Sequence, residues 1–330
     1  MKQFTAIVRA RTMEFVRDRG TFFWNLIFPV VLVVGFSFAF GSGKDALFKV
    51  GVMGDAAEGT FLSIEAVETI DYSNQELDGL LDKLRRHQID MLIDFNSSSY
   101  YLNTEAASAE VLRTMSGADL GQFTEQKVEG EAIRYVDWLV PGVIGMNMLF
   151  SCMFGVGFVI VRYRKNGVLK RMKATPVTPL TFITAQMASR FLIVLATSVA
   201  VYAGTNLFLN FMVNGSYLLL LLITMLAILC MISFGLIFAA RIKSEELASG
   251  LMNLLTFPMI IFSGVFFSLE GTPEIMQQVS RIFPLTHFIE GARGIMIDGA
   301  GLVEILPNLT VLGGMTVLFL GIAAFLFRWE

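Results

Sequence analysis

Residues Phe191–Ala240, FLIVLATSVAVYAGTNLFLNFMVNGSYLLLLLITMLAILCMISFGLIFAA, form a run of fifty residues without Asp, Glu, Lys or Arg. A water-soluble core does not use so long an apolar run, whereas a bilayer is crossed by a helix of about 20 such residues. The run therefore predicts two membrane-spanning helices, and Asn210, Asn214 and Gly215 supply the turn between them. The 55% hydrophobic composition and the mean hydropathy of +0.64 agree with a polytopic helical membrane protein.

Six segments are long and apolar enough to cross the ~30 Å hydrocarbon core at about 1.5 Å per helical residue. In chain order they are Phe22–Phe40, Trp138–Val161, a third span that ends near Phe211, Tyr217–Ala240, Leu247–Leu269 and Ile305–Phe327. The first is 19 residues long and is not followed by a clear cleavage site. We therefore expect a retained helix there and not a signal peptide.

The basic residues fall on one side of the membrane when six spans are assumed. Five precede the first span, six lie between Arg162 and Lys173, Arg241 and Lys243 follow the fourth span, and Arg328 follows the last. By the positive-inside rule this side is cytoplasmic, which places both termini inside a multi-pass protein of the cell (inner) membrane. Residues 41–137 hold 18 acidic and 8 basic residues, and this acidic outer side argues against nucleic acid as a partner.

The predicted fold class is a polytopic α-helical membrane protein with six transmembrane helices and a small α/β extracytoplasmic domain inserted after the first. The predicted parts are an N-terminal amphipathic interfacial helix (1–21), the first transmembrane helix (22–42), the extracytoplasmic domain (43–135) and a five-helix transmembrane domain (136–330). The last part includes a cytoplasmic basic helix (167–175) and short outer helices (272–300). Both cysteines, Cys152 and Cys230, lie in predicted spans, so no disulfide framework is expected outside them.

The extracytoplasmic segment has the pattern of a small β-α-β-β-α domain. Strands are predicted at Phe48–Met53, Ile89–Phe95 and Tyr100–Leu102, because these stretches are rich in β-formers. Apolar residues at helical spacing predict a helix at Gln75–His87. The stretch Ala106–Val128 is also predicted to be helical, with an interruption at Gly117.

Two further segments have an amphipathic pattern. The N-terminal arm places Phe4, Ile7, Val8 and Phe15 on one side, which is typical of a helix at a membrane interface. In the outer segment, Thr272 is expected to cap a helix whose first residue is Pro273, and Pro284 to break it before a second one.

The basic loop after the second predicted span contains one or two helical turns, Val168–Lys173, which follow Gly167 and end before Pro176. Leu169 and Met172 lie one turn apart and are expected to face a hydrophobic surface, whereas the basic side chains point elsewhere. Two interpretations stay open from these residues alone. The loop is either a docking helix for a cytoplasmic partner or a solvated basic loop beside anionic lipid.

We find no pattern typical of an enzyme active site. The stretch Gly41–Lys44 lacks the first glycine and the hydroxyl residue of a phosphate-binding loop, so it is rejected as one. His287 and Glu290 are spaced to share a helix face, but the only other histidine is His87, so a metal site would need further carboxylates. A structural hydrogen bond is favoured for His287. The chain is therefore expected to bind no cofactor or metal of its own.

Polar residues inside spans are costly, and here they lie on two helix faces. Asn147 and Ser151 are one turn apart on the second span, and Ser249, Asn253, Thr256 and Ser263 share a face of the fifth. They either line a substrate path or hydrogen-bond between helices, as small polar residues do in most bundles. Arg190 is expected to reach the cytoplasmic interface or to form an ion pair, and Ser244, Glu245 and Glu246 to cap the fifth span.

Three stretches resemble the permease subunits of type-2 ABC exporters. They are Arg17–Pro29 (RDRGTFFWNLIFP), Leu139–Gly142 with Arg162–Pro179 (LVPG and RYRKNGVLKRMKATPVTP), and Phe257–Phe267 with Ile282–Arg293 (FPMIIFSGVFF and IFPLTHFIEGAR). The order of spans, outer domain, basic helix and short outer helices is also similar, so the resemblance covers essentially the whole chain.

The resemblance implies a dimer of permeases, either two copies of this chain or close homologues, with two cytoplasmic ATPase subunits that bind ATP and Mg²⁺. It implies that Gly167–Thr175 is the coupling helix, and that the second and fifth spans line the path at the dimer interface. The residues it assigns to ATPase coupling are Gly167, Leu169, Lys170, Arg171, Met172, Lys173, Glu245 and Glu246. One departure is that Lys165 and Asn166 stand in a region where relatives often carry Glu, so a salt bridge made by that acid is not expected.

Two functions from other classes stay as alternatives. An ion-coupled secondary transporter needs ionisable residues inside the spans, and this chain has almost none besides Arg190. A membrane-anchored sensor or assembly protein could instead bind a ligand with the acidic outer domain and hold a partner with the basic loop.

Overall fold

A computed structural model describes most of the chain. The described residues are 2–40, 48–54, 62, 64, 67–72, 77–86, 89–104, 106, 108–117, 119–130, 134–242, 244–267, 269 and 272–326. Gly41–Lys44, His87, Lys243 and Arg328 lie outside them. The chain separates into two compact units, a helical unit of Met1–Ala39 with Val136–Glu330 and a second unit of Phe40–Tyr135.

The helical unit consists of helices, and the second unit consists of short strands and helices that follow α2 in the chain. In chain order they are α1 (Lys2–Arg17), α2 (Arg19–Phe40), β1 (Phe48–Met53), β2 (Val67–Asp71), α3 (Leu77–Arg85), β3 (Met91–Asp94), β4 (Ser99–Asn103), α4 (Ala109–Ser116), β5 (Thr124–Val128), α5 (Tyr135–Cys152), a π-helical segment (Met153–Phe158), α6 (Val159–Lys165), α7 (Val168–Lys173), α8 (Pro179–Leu209), α9 (Tyr217–Ala239), α10 (Glu245–Phe262), α11 (Glu274–Ser280), α12 (Pro284–Met296) and α13 (Leu302–Leu326).

Four helices among the described residues are long and apolar enough to cross a membrane. They are the continuous 31-residue helix Tyr135–Lys165, α8, α9 and α13. Helices α1 and α2 would provide a fifth span together, but they are bent by 60°. The predicted fifth span corresponds to α10, which has 18 residues and ends at Phe262 instead of Leu269. Four to five candidate spans are thus observed, and the count of six stays a prediction.

The turn that divides the fifty-residue uncharged run lies at the residues that predicted it. Asn210 ends α8 with a left-handed backbone (φ +44°), which Asn tolerates better than most residues. The side-chain amide of Asn214 donates to the carbonyl of Ile297 (2.9 Å). At Gly215 a Cβ atom would lie 2.4 Å from the carbonyl oxygen of Ile295, so only glycine fits this approach between chain segments.

Close contacts along α5 define the centre of the helical unit. A Cβ atom at Gly142 would lie 2.4 Å from the carbonyl oxygen of Val265, and one at Gly157 would lie 2.7 Å from that of Gly235. Helix α5 therefore approaches the turn after α10 at one end, and the π-helical segment approaches α9 at the other. Most α5 residues are buried within the chain.

The region after α10 differs in detail from the predicted outer helices. The hydroxyl of Thr272 donates to the carbonyl of Leu269 (2.6 Å) and does not cap a helix. Helix α11 begins at Glu274 with Pro273 as the preceding residue, so the predicted start is wrong by one residue. Pro284 is the first residue of α12, where its missing N–H group costs nothing. His287 makes a structural hydrogen bond, at 2.8 Å, between its Nε2 atom and the carbonyl oxygen of Arg281.

The second unit is a five-stranded sheet with strand order β2-β1-β3-β4-β5. The β1–β2, β1–β3 and β4–β5 pairs are parallel and β3–β4 is antiparallel. One face of the sheet forms a core around Val50, Ile93 and Leu112 of α4, and the other a core around Leu92 and Leu80 of α3. The described residues thus form an α/β unit, and its extracytoplasmic placement stays a prediction.

Two strands of this sheet were not predicted. Strand β2 lies at one edge and was not identified, and β5, Thr124–Val128, lies at the other edge within a stretch predicted to be helical. The helical prediction is therefore wrong for β5 and holds for α4. Both strands are largely exposed, so their polar residues break the alternation that marks a half-buried strand.

We expect Gly142→Ala to destabilise the helical unit, because its methyl group would overlap the carbonyl oxygen of Val265. Overpacking of this kind costs about 1–3 kcal/mol. The measurement is the thermal unfolding temperature of the purified protein in detergent. Gly313→Ala is the matched control, since no atom lies within 4 Å of its Cβ position on α13. Equal unfolding temperatures for the two variants would contradict the close approach of α5.

Candidate functional site

The basic loop between α6 and α8 presents a charged surface. Gly167 has a left-handed backbone (φ +68°), which reverses the chain between α6 and α7. Lys170, Arg171 and Lys173 are exposed, and Met172 is half-buried. The loop therefore offers several exposed cations around one accessible apolar side chain.

Leu169 does not share this exposure. It is 0% exposed, so it packs entirely within its own chain. The expectation that Leu169 and Met172 together face a partner is corrected for Leu169, since only Met172 stays accessible. Leu169 holds α7 in place, and its substitution would disturb folding before it disturbed docking.

Arg164 fixes the start of this loop to the end of α9. Its Nη1 atom donates to the carbonyl of Ala239 (2.8 Å) and also to that of Ile242, and its Nη2 atom donates to Ala240 (3.1 Å). The last carbonyls of a helix have no partner within the helix and carry partial negative charge. One guanidinium thus caps α9 and connects it to the helix that leads into the basic loop.

Lys165 connects the same loop to the start of α10. Its Nζ atom lies 3.8 Å from a carboxylate oxygen of Glu245 and 3.5 Å from one of Glu246. In this chain the cation of these ion pairs lies in the loop and the acids lie on α10. All three side chains are at least partly exposed, so each of the two ion pairs contributes less than about 1 kcal/mol to stability.

The first turn of α10 is capped as predicted. The amide of Leu247 donates to the Ser244 hydroxyl (3.2 Å), which in turn donates to Glu246 (2.6 Å). This hydrogen bond from Ser244, the backbone amide of Glu246 and the Lys165 ammonium lower the pKa of Glu246 to about 2. Glu246 is therefore ionised at any physiological pH and stabilises the positive end of the helix.

The polar residues predicted on the second span contact α2. The side-chain amide of Asn147 donates to the carbonyl of Asn25 (3.2 Å), and the Ser151 hydroxyl donates to the Asn25 side-chain oxygen. These contacts agree with interhelical hydrogen bonding. Asn147 is nevertheless half-exposed, so it can also contribute to a polar surface on α5.

The four polar residues predicted on the fifth span do not form one surface. Thr256 is buried and donates to the carbonyl of Met252 in its own helix (2.8 Å). Ser263 follows the last residue of α10, is buried, and accepts from the Thr286 hydroxyl (2.9 Å). Only Ser249 and Asn253 are half-exposed. The exposed stripe of α10 is mostly apolar and consists of Leu247, Leu254, Phe257 and Ile261.

Arg293 joins two of the stretches that carry the family resemblance. Its Nε atom donates to the carbonyl of Trp138 (3.1 Å), and its Nη2 atom donates to that of Gly264 (2.8 Å). The guanidinium also lies 3.5 Å from the centroid of the Trp138 ring. From the sequence, Arg293 was recognised only as part of a motif, and its structural role follows from these contacts.

Asp137 was also missed. It is fully buried at the start of α5 and accepts a hydrogen bond from the backbone amide of Met212 (2.8 Å). A buried carboxylate at the end of an apolar span is retained only where such partners exist. Asp137 therefore holds the turn after α8 against α5.

Comparison with known proteins identifies the family of this chain. The family described as "ABC-2 family transporter protein" matches residues 19–325. This chain belongs to that family. The earlier resemblance to type-2 ABC permeases is thereby confirmed.

Individual relatives are distant and match only in part. The inner membrane transport permease YhhJ of Escherichia coli (strain K12) is 27% identical over 183 residues, which is 55% of this chain and 49% of the relative. The probable multidrug ABC transporter permease YbhS of the same strain is 20% identical over 186 residues, covering 56% and 49%. The daunorubicin resistance ABC transporter permease protein DrrB1 of Streptomyces coeruleorubidus is 25% identical over 199 residues, covering 59% and 69%.

The match thus spans about half the length of YhhJ and of YbhS. Family membership, with four to five candidate spans, establishes a membrane protein of the ABC-2 transporter class. Members of this class form the membrane part of ABC systems.

We expect Arg164→Gln to lower the stability of the protein by about 1–3 kcal/mol, because carbonyls at the end of α9 lose a charged donor. Lys165→Gln is the matched control, as it removes the same charge from the next residue but breaks only exposed ion pairs. Thermal unfolding in detergent measures both. If Lys165→Gln were the more damaging variant, the capping role of Arg164 would be wrong.

Proposed function

We propose that this chain is the permease subunit of an ATP-driven ABC exporter. The observation that carries the proposal is the family match over residues 19–325. It is supported by the exposed basic helix α7, the segment that the resemblance assigns as the coupling helix. ATP and Mg²⁺ are bound by a separate cytoplasmic ATPase, and this chain transmits the conformational change without hydrolysing nucleotide. Both termini lie in the cytoplasm, and the α/β unit of residues 43–135 lies on the outer side.

Docking on the ATPase is carried by the exposed part of residues 167–175. Lys170, Arg171 and Lys173 supply positive charge for an acidic rim, and Met172 supplies the apolar contact. The loop is tied to α9 by Arg164 and to α10 by Lys165. A displacement of α7 by the ATPase therefore moves the ends of two helices at once, and Glu245 and Glu246 belong to this linkage.

The dimer interface of the proposed exporter involves α5 and α10. Helix α10 leaves an apolar stripe uncovered within the chain, with the half-exposed polar residues Ser249 and Asn253 beside it. Lipid offers such polar groups no hydrogen bonds, whereas a second subunit or an aqueous path does. Asn147, Ser249 and Asn253 are the predicted path residues that stay accessible, and Thr256 and Ser263 are packing residues.

Docking is tested by charge reversal in the basic loop. We expect Lys170→Glu with Arg171→Glu to reduce the amount of ATPase that co-purifies from membranes at least tenfold, since both cations would then repel an acidic surface. Arg9→Glu on α1 is the control, because Arg9 is exposed and lies outside the loop. ATPase co-purification is quantified against permease recovered. Unchanged recovery of the ATPase with the double variant would refute docking through these residues.

The dimer is tested by cysteine cross-linking. Cys152 and Cys230 are buried, so single cysteines can be added to the native sequence. We expect Leu254→Cys on α10 to form a disulfide-linked dimer in oxidised membranes, and Val317→Cys on α13 not to form one. The two positions are 67% and 74% exposed, so exposure alone does not separate them. Cross-linking only through Val317→Cys would place the interface on α13 and refute its assignment to α10.

A further inference from the structure

A cavity of about 390 Å³ lies between α1, α2, α8 and the π-helical segment of the helical unit. Its wall contains both charged and aromatic side chains. The charged side chains include Arg11, Arg162 and Arg190, and the aromatic ones include Phe150 and Phe154, whose rings stack at 6.1 Å. Neither the proposed ATPase docking surface nor the exposed face of α10 borders this cavity.

Arg190 is the most buried cation of the cavity. It is 8% exposed, and its Nε atom donates to the carbonyl of Ser151 (2.7 Å). A Cβ atom at Gly155 would lie 2.0 Å from the guanidinium carbon, so the guanidinium lies directly against this glycine. Phe15 borders it on α1, with the ring centroid 5.5 Å away. The guanidinium is therefore fixed in the wall by contacts that any larger residue at Gly155 would remove.

The carboxylates of the cavity do not balance all of this charge. Glu14 accepts from Arg11 (2.6 Å), lies 3.5 Å from Arg162, and also accepts from the Tyr163 hydroxyl (2.8 Å). Asp18 is the other acid in the wall, and it also has an interaction partner. Among the described residues no carboxylate forms an ion pair with Arg190.

A buried cation without a counter-charge is unfavourable by several kcal/mol, and a bound anion would offset that cost. The cavity as a whole holds three guanidinium groups and two carboxylates. Its net charge therefore favours an anionic group.

An apolar groove continues from the cavity. It has a volume of about 280 Å³ and shares Asn25 and Phe150 with the cavity. Its other lining residues are Trp24, Phe28, Pro29, Met146 and the proposed path residue Asn147. A site with a basic end and an adjoining apolar groove fits an amphiphile and not a free ion. The anionic headgroup would lie at Arg190 and a hydrocarbon chain would lie along Trp24 and Phe28.

We propose that this cavity and groove bind an anionic phospholipid, with its phosphate on Arg190. The bound lipid joins α1, α5 and α8 at the level of the π-helical segment. The proposal goes beyond export, since the lipid is a resident ligand of the permease itself and its binding needs no ATPase.

The experiment uses the purified full-length permease without its partner. We measure thermal stabilisation and the number of lipids retained in native mass spectrometry with three probes: phosphatidylglycerol, phosphatidylcholine of the same chains, and inorganic phosphate. Phosphatidylglycerol is expected to bind at least about tenfold more tightly than the other two, because only it combines the charge with the chains. Equal binding of phosphatidylcholine, or full stabilisation by inorganic phosphate, would overturn the lipid proposal.

Arg190→Gln and Gly155→Ala are expected to weaken phosphatidylglycerol binding about tenfold, by removing or displacing the guanidinium. Arg9→Gln, which removes an exposed charge from the same end of the unit, is expected to leave it unchanged. Phe28→Ala changes an exposed groove residue and keeps Arg190 in place, so it covers the case in which the other two variants do not fold. It is expected to weaken binding several-fold. Unchanged affinity in the folded variants would refute the site.

Discussion

Four arginine side chains donate to backbone carbonyls at helix ends and at the π-helical segment, and each connects parts of the helical unit that are distant in the chain. A bilayer offers no water to carbonyls that lose their helical partners, so each break inside the bundle needs a donor from elsewhere. Arg190 and Arg11 donate to the carbonyls of Ser151 and Gly155 at the π-helical segment. Arg164 and Arg293 do the same at the end of α9 and after α10. The four arginines thus supply donors where helices end or change their hydrogen-bonding pattern.

The π-helical segment lies at a close approach between helices. The π-helical segment contains Gly155 against Arg190 and Gly157 against α9 and α10. Such segments bend helices and recur at functional sites. In this unit the segment separates the buried part of α5 from the part that leads into α6 and the basic loop. Arg164 thus connects the start of that loop to α9, and the π-helical segment lies between the loop and α5.

The sequence predicted the long helices well because twenty apolar residues in a row have few alternatives. It did not predict the end of α10, since Gly264 reverses the chain (φ +68°) inside a stretch that is still apolar. A hydropathy pattern does not reveal such a turn. The turn between α8 and α9 was predicted because Asn210, Asn214 and Gly215 lie close together there. In the α/β unit the buried strands β1 and β3 were recognised, but β2 and β5 were not. Edge strands carry polar residues that resemble those of loops and helices, and only pairing with a neighbour makes them strands.

The candidate site shows the same limit for side chains. Spacing alone placed Leu169 and Met172 on one helical face, but the structure buries the first and leaves the second accessible. Spacing also grouped Thr256 with Asn253, although Thr256 donates to its own helix. Periodicity reports which residues share a face of a helix, and the neighbours of that helix decide whether the face is free. For a membrane protein the neighbours come from distant parts of the chain, so the exposed face of α10 follows from packing and not from its polar residues.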